Sequence, residues 1–127
     1  MTSLVLDTSA VLAYIQDEPG SMAIPDQIAD LLLSSVNLAE AVGVMMRRGL
    51  SFDDARKNLS YLDFRVVDFD RGLAEETGAL AQRTRSLGLS LGDRACLALA
   101  MRESLPALTA DRAWRGLDVG VEIRLIR

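Results

Sequence analysis

The chain has 127 residues, 50% of them apolar and 25% charged, with a net charge of −4. That is the composition of a globular domain with a real core, not of a disordered chain. It contains no histidine and a single cysteine, Cys96, which excludes a Ser-His-Asp triad, a His- or thiolate-ligated zinc site and an internal disulfide, and fits a reducing cytosol.

In chain order, Thr2 to Leu6 reads as a short strand buried on both faces, ended by Asp7-Thr8-Ser9. Ser9 to Gln16 reads as a helix stopped by Asp17-Glu18-Pro19-Gly20, and Pro25 either opens or breaks a short helix in the stretch that follows. Leu31 to Val36 (LLLSSV) is a candidate second strand. Asn37 to Arg48 has helical spacing and ends at Gly49. Ser51 caps the next helix, SFDDARKNLSYLD, with Asp53 and Asp54 in its first turn. A short strand, Phe64 to Phe69, precedes a long helix from about Asp70 to Ser86. Ser90-Leu91-Gly92-Asp93 leads into a tightly packed helix, RACLALAMRES. Ala107-Leu108-Thr109 is a strand, Asp111 to Trp114 a helical turn, and Val121 to Ile126 a last strand.

Strands alternating with helices predict an α/β protein, a three-layer α/β/α sandwich with a mainly parallel central sheet, as a single domain over 1–127. The longest apolar runs, such as Ala95 to Met101, fall far short of a membrane span. The apolar N-terminal run lacks a basic lead and does not read as a signal peptide. The expected location is cytoplasmic, with no membrane contact.

Four acids fall next to strand ends or helix starts. Asp7 follows the first strand, Glu40 lies in the first turn of the helix after LLLSSV, Asp93 opens the RACLALA helix, and Asp111 follows the strand around Leu108. In a parallel sheet the carboxyl ends of the strands share one edge, where ligands bind. Each acid also reads plainly as a helix cap. Asn37 with Glu40, and Ser90 with Asp93, have the spacing of a capping box. Two carboxylates about 4 Å apart repel by roughly 4 kcal/mol at an effective dielectric of 20. A fold that crowds four of them needs protons or a cation. With no histidine and one cysteine, an active metal must be held by oxygen, which favours magnesium or manganese.

The segments LVLDTSAVLAYI, SSVNLAEAV, LSLGDRACLALA and LTADRAW resemble, in order and spacing, the PIN-domain ribonucleases, and most of all the VapC-type toxins of bacterial toxin–antitoxin pairs. The resemblance runs from the first strand to the last and implies a PIN-like fold. It matches Asp7, Glu40, Asp93 and Asp111 to the four acids of such sites, and Thr8, Ser9 and Thr109 to supporting hydroxyls. It implies Mg²⁺- or Mn²⁺-dependent cleavage of RNA, with Asp7 and Asp93 as principal ligands and Glu40 and Asp111 completing or hydrogen-bonding the ion's water shell. The implied products carry a 5′-phosphate and a 3′-hydroxyl. A VapB-type antitoxin, received in part by the helices Asn37–Arg48 and Ser51–Asp63, and a homodimer are implied in the same way. The segment Gly20 to Asp30, with Pro25, departs from the smoother helix usual there.

The acidic balance weighs little against an RNA substrate. Four site acids set aside from 18 leave 14, matching the 14 basic residues, all but Lys57 arginine. Arg94, Arg112 and Arg115 flank the motifs, where a solvated surface role competes with contacts to phosphate. Trp114 reads as core rather than a stacking platform, and Cys96 as a small core residue. Other acid-cluster folds fit less well. A receiver domain needs a lysine near the pocket, and Lys57 lies in a surface-looking helix. A haloacid-dehalogenase-like phosphatase needs an aspartate where Ser9 stands. The remaining alternative is a PIN-fold binding or scaffold protein without catalysis.

Overall fold

Strand β1 (Leu4–Leu6) is buried at every residue, as an unbroken LVL in the middle of a sheet must be. The computed structural model describes residues 3–15 and 30–126. Thr2, the expected stop at 17–20 and the stretch around Pro25 lie outside them. The order continues with α1 (Thr8–Ile15), β2 (Leu31–Ser34), α2 (Ser35–Arg47), α3 (Phe52–Ser60) and β3 (Arg65–Val67). It ends with α4 (Arg71–Arg83), α5 (Leu91–Glu103), β4 (Ala107–Thr109) and β5 (Ile123–Leu125), with single 3-10 turns at Arg85–Leu87 and Arg112–Trp114.

The strands form one sheet in the order β3-β2-β1-β4-β5, and each neighbouring pair is parallel. Side chains alternate across it. Leu4, Leu6 and Leu33 pack with Val11 of α1, Met45 of α2 and Leu59 of α3. Val5 and Leu32 pack on the opposite face with Leu73 and Leu80 of α4, the Cys96–Ala100 run of α5, and Trp114. These are the three layers expected. Trp114 and Cys96 are both fully buried, as core residues. Among the described residues, no helix is long and apolar enough to cross a membrane.

The chain turns from β2 into α2 earlier than LLLSSV suggests. The second strand ends at Ser34 and the helix begins at Ser35, not at Asn37. Both serines drive this. Ser34 Oγ accepts the Val36 N–H at 3.2 Å and so caps the helix, while Ser35 Oγ accepts the Phe69 N–H at 3.0 Å. Asn37 is therefore not the cap. It sits in the first turn, on the stripe that buries Asn37, Ala41 and Met45, and the earlier start moves Glu40 out of the first turn, where it was expected, into the second. The long helix expected to reach Ser86 stops at Arg83. There Thr84 Oγ1 donates to the Leu80 carbonyl at 2.8 Å, and Gly88 closes the following turn in the left-handed region, φ +62°.

From β1 the chain moves outward through β2 to β3, then crosses to the other side for β4 and β5. The strand order therefore reverses between β1 and β4. The edge beyond the carboxyl ends of these two strands is where open α/β sheets bind ligands. Asp7 immediately follows β1 at this edge, and Thr109 ends β4 beside it.

Candidate acidic active site

Asp7 is 3% exposed, the most deeply buried of the four acids. Its Oδ1 accepts the Ser9 hydroxyl at 2.7 Å and the Ala10 N–H at 2.8 Å, so it does cap α1. Its Oδ2 accepts the Thr109 hydroxyl at 2.5 Å. Three donors do not exhaust the roughly four lone-pair sites of a carboxylate. Burial pushes the Asp7 pKa up to about 6, against the three hydrogen bonds, and the negative charge of Asp93 adds to the rise. The two hydroxyls are themselves fixed. Ser9 Oγ accepts the Ala110 N–H at 2.9 Å, and Thr109 Oγ1 accepts the Asp111 N–H at 3.0 Å. The end of β4 is thus laced to the start of α1 through Asp7.

Glu40 and Asp93 approach from the other side. Thr8 Oγ1 donates to Glu40 Oε1 at 2.8 Å. The amide of Asn37 donates toward the same oxygen at 3.3 Å, toward Thr8 Oγ1 at 3.1 Å and toward the Gly92 carbonyl at 3.1 Å. Asn37 is 1% exposed, and its own Oδ1 has no partner. Since Glu40 Oε1 and the Gly92 carbonyl both accept, the amide nitrogen must face them. Asp93 forms a reciprocal capping box with Ser90, taking the Ser90 N–H on Oδ2 at 2.9 Å while Ser90 Oγ takes the Asp93 N–H at 3.2 Å. Cys96 lies one turn further along, where burial raises its thiol pKa and the charges of Asp7 and Asp93 raise it further. Both acids therefore act on the same point near the start of α5.

Asp111 is exposed and its Oδ1 accepts the Ala113 N–H at 2.9 Å, capping the turn that carries Trp114. Its backbone N–H is held by the Thr109 hydroxyl. Arg94 Nη1 donates to the Thr77 carbonyl of α4 at 3.1 Å, whereas Arg112 and Arg115 are exposed next to Asp111. Asn37 and Gly92 are the site residues that the sequence did not single out as such. The signal available for Asn37 was a polar residue at the head of the apolar i, i+4, i+8 stripe. Gly92 carried none.

Among the described residues, no group of three or more acidic or cysteine side chains stands together so as to hold an ion. Asp7 and Asp93 are near enough for the charge of Asp93 to raise the Asp7 pKa, Glu40 is tied to the start of α1 through Thr8, and the Asp111 carboxylate serves its own turn. The donor set suits a hard divalent cation, because Mg²⁺ keeps several waters and binds through one or two carboxylates. The raised pKa of Asp7 is the second sign of fit, since a cation against Asp7 and Asp93 would offset both burial and repulsion.

A family model for the PIN domain matches residues 4–120, and the chain belongs to that family. Its fold is similar to a toxin–antitoxin complex from Klebsiella pneumoniae, with a TM-score of 0.76 at 20% identity over 98% of each chain. It is also similar to Mycobacterium tuberculosis VapC20, described as a sarcin–ricin loop cleaving toxin. That TM-score is 0.74 at 16% identity over 93% of this chain and 98% of the other. A VapBC-5 protein from the same organism is 25% identical over 100% of this chain and 99% of the other, with a TM-score of 0.65. A search of curated proteins by sequence finds no match.

Proposed function

We propose that this protein is a Mg²⁺- or Mn²⁺-dependent endoribonuclease and the toxin of a toxin–antitoxin pair. The observation that carries the reading is Asp7, a buried carboxylate at the switch point of a PIN-domain sheet, with its pKa raised to about 6 and Asp93 adding to the rise. A carboxylate kept in such a place at a cost in stability points to a cation as its working partner. Asp7 and Asp93 would hold the ion, and Glu40 and Asp111 would take hydrogen bonds from its waters. When bound, the ion supplies the Lewis acidity that makes water a nucleophile at neutral pH and offsets charge on the phosphoryl oxygens.

The chain's own groups do the positioning. Ser9, Thr109 and the Ala10 N–H fix the Asp7 carboxylate, so that its remaining lone pair is aimed without rotamer search. Thr8 and Asn37 fix Glu40 in the same way. Arg112 and Arg115 lie on the exposed rim, where a phosphate backbone would pass.

For the antitoxin, α2 and α3 frame an apolar groove of about 450 Å³, lined among others by Leu38, Val42, Phe52, Leu62, Phe64 and Val66. Phe52 is 52% exposed and the neighbouring Tyr61 72%. Similar structures include toxin–antitoxin complexes, which supports a segment of the antitoxin as the occupant. A homodimer is proposed by family resemblance, and sedimentation of the purified chain tests it.

The deciding experiment is cleavage of RNA by purified protein with Mg²⁺, Mn²⁺ or EDTA. Cleavage that needs the ion and is lost in Asp7→Asn and Asp93→Asn supports the reading. Equal cleavage by those variants, or none by the wild type with any RNA class offered, contradicts it.

A further inference from the structure

Gly92 is buried in the first turn of α5, at a helical position that any residue could occupy on backbone grounds. Its lack of a side chain has a different reason. A Cβ there would fall inside the van der Waals envelope of Glu40 Oε1 and Cδ, and only 2.7 Å from Oε2. The Glu40 carboxylate occupies the space that a side chain at 92 would take. The same neighbourhood supplies the groups that hold it, since the Asn37 amide reaches both Glu40 Oε1 at 3.3 Å and the Gly92 carbonyl at 3.1 Å.

We propose that Gly92 is a positioning residue, whose missing side chain forms the slot that holds the Glu40 carboxylate beside Asp93, with Asn37 bridging the two helices across it. The slot matters because Glu40 is exposed and reaches the pocket from α2. Left unconstrained, an exposed glutamate samples many rotamers, and only a fraction place its carboxylate beside the start of α5. Thr8 and Asn37 supply attraction, and Gly92 supplies clearance. The clash with a methyl group at 92 involves the far end of a flexible side chain, so the fold can relieve it by letting Glu40 swing away. Alanine is also the better helix former. Gly92→Ala is therefore expected to keep or raise the Tm while it removes Glu40 from the pocket.

This inference rests on the metal-dependent reading, and its test is built to fail separately. Mn²⁺ binding is measured by calorimetry on the full chain for wild type, Glu40→Ala, Gly92→Ala and the double variant, with Tm recorded in EDTA. If Glu40 contributes to the ion's water shell, its loss weakens binding by about 10- to 100-fold. The proposal expects a comparable loss in Gly92→Ala, an unchanged or higher Tm, and a double variant no weaker than Glu40→Ala alone. If Glu40→Ala weakens binding but Gly92→Ala does not, the slot is refuted and the metal site stands. A further loss from Gly92→Ala in the Glu40→Ala background also refutes it, because the effect would not run through Glu40. Wild type that shows no saturable Mn²⁺ binding overturns the metal reading and the slot together.

Discussion

Replacing Asp7 with asparagine should make the metal-free protein more stable at neutral pH, although it removes the central acid of the site. The carboxyl titrates near 6 in the folded protein against an ordinary 3.8, chiefly because of burial. The folded state therefore binds the proton more tightly than the unfolded state does. Between about pH 4 and 6 the folded chain holds more protons, and stability falls as pH rises. Above 6 the loss is complete. A gap of a little over two units corresponds to about 3 kcal/mol. The amide can replace the carboxylate without stranding a partner. Its oxygen keeps the Ser9 and Ala10 donors, and its nitrogen faces Thr109, whose hydroxyl can turn toward Ser9 Oγ, 3.3 Å away. Urea unfolding in EDTA from pH 4 to 8 should show the wild type declining and Asp7→Asn lacking that decline. The two should coincide near pH 4 and differ by up to about 3 kcal/mol, or roughly 10 °C in Tm, at pH 7.5. Subtracting the curves removes other titrating groups, such as the exposed Asp70, whose pKa is lowered by the Leu73 N–H and by Arg102. A variant no more stable than wild type at pH 7.5, or one with the same pH slope, would show that Asp7 is not a strained buried charge.

The same carboxylate sets a pH limit on metal binding. Because the proton and the ion compete for Asp7, Mn²⁺ affinity should be flat above about pH 6 and fall about tenfold per unit below it; an affinity unchanged from pH 7 to 5 would exclude Asp7 as a ligand. Thr109→Val removes a donor to Asp7 and the acceptor of the Asp111 N–H. It should cost about 1–3 kcal/mol in urea unfolding and move the acid limb of the binding profile upward; an unmoved limb would contradict the bond to Asp7. Phe52→Asp places a charge on the rim of the α2–α3 groove and should weaken antitoxin binding at least tenfold by titration, whereas unchanged affinity would move the antitoxin elsewhere.

Local chemistry made much of this legible before any fold was known. An oily LVL closed by an acid and two hydroxyl residues announces a buried strand, a turn and a helix start, and Asp7 proves to be the buried cap of α1. Asp93 and Asp111 are likewise capping residues, Asp93 as the reciprocal partner of Ser90 and Asp111 at the turn that carries Trp114. Asn37 misled, because Asn followed three residues later by Glu has the form of a capping box. Ser34 had already turned the chain, which carried Asn37 onto the buried face of α2 and left its amide to organise Glu40 and Gly92. No local rule chooses between two adjacent serines and an asparagine when all three are good caps. Gly92 was invisible for a deeper reason. Its constraint comes from Glu40, on a different helix, and clearance of that kind exists only once the layers have packed.

The central claim is that Asp7 and Asp93 together gather a divalent ion at the switch point between β1 and β4. Crystals soaked in MnCl₂ and measured at the manganese absorption edge test it directly. The account predicts an anomalous peak beside the Asp7 and Asp93 carboxylates, and no such peak in Asp7→Asn. Full Mn²⁺-dependent cleavage with no peak between Asp7 and Asp93, or with the ion bound elsewhere on the chain, would contradict it.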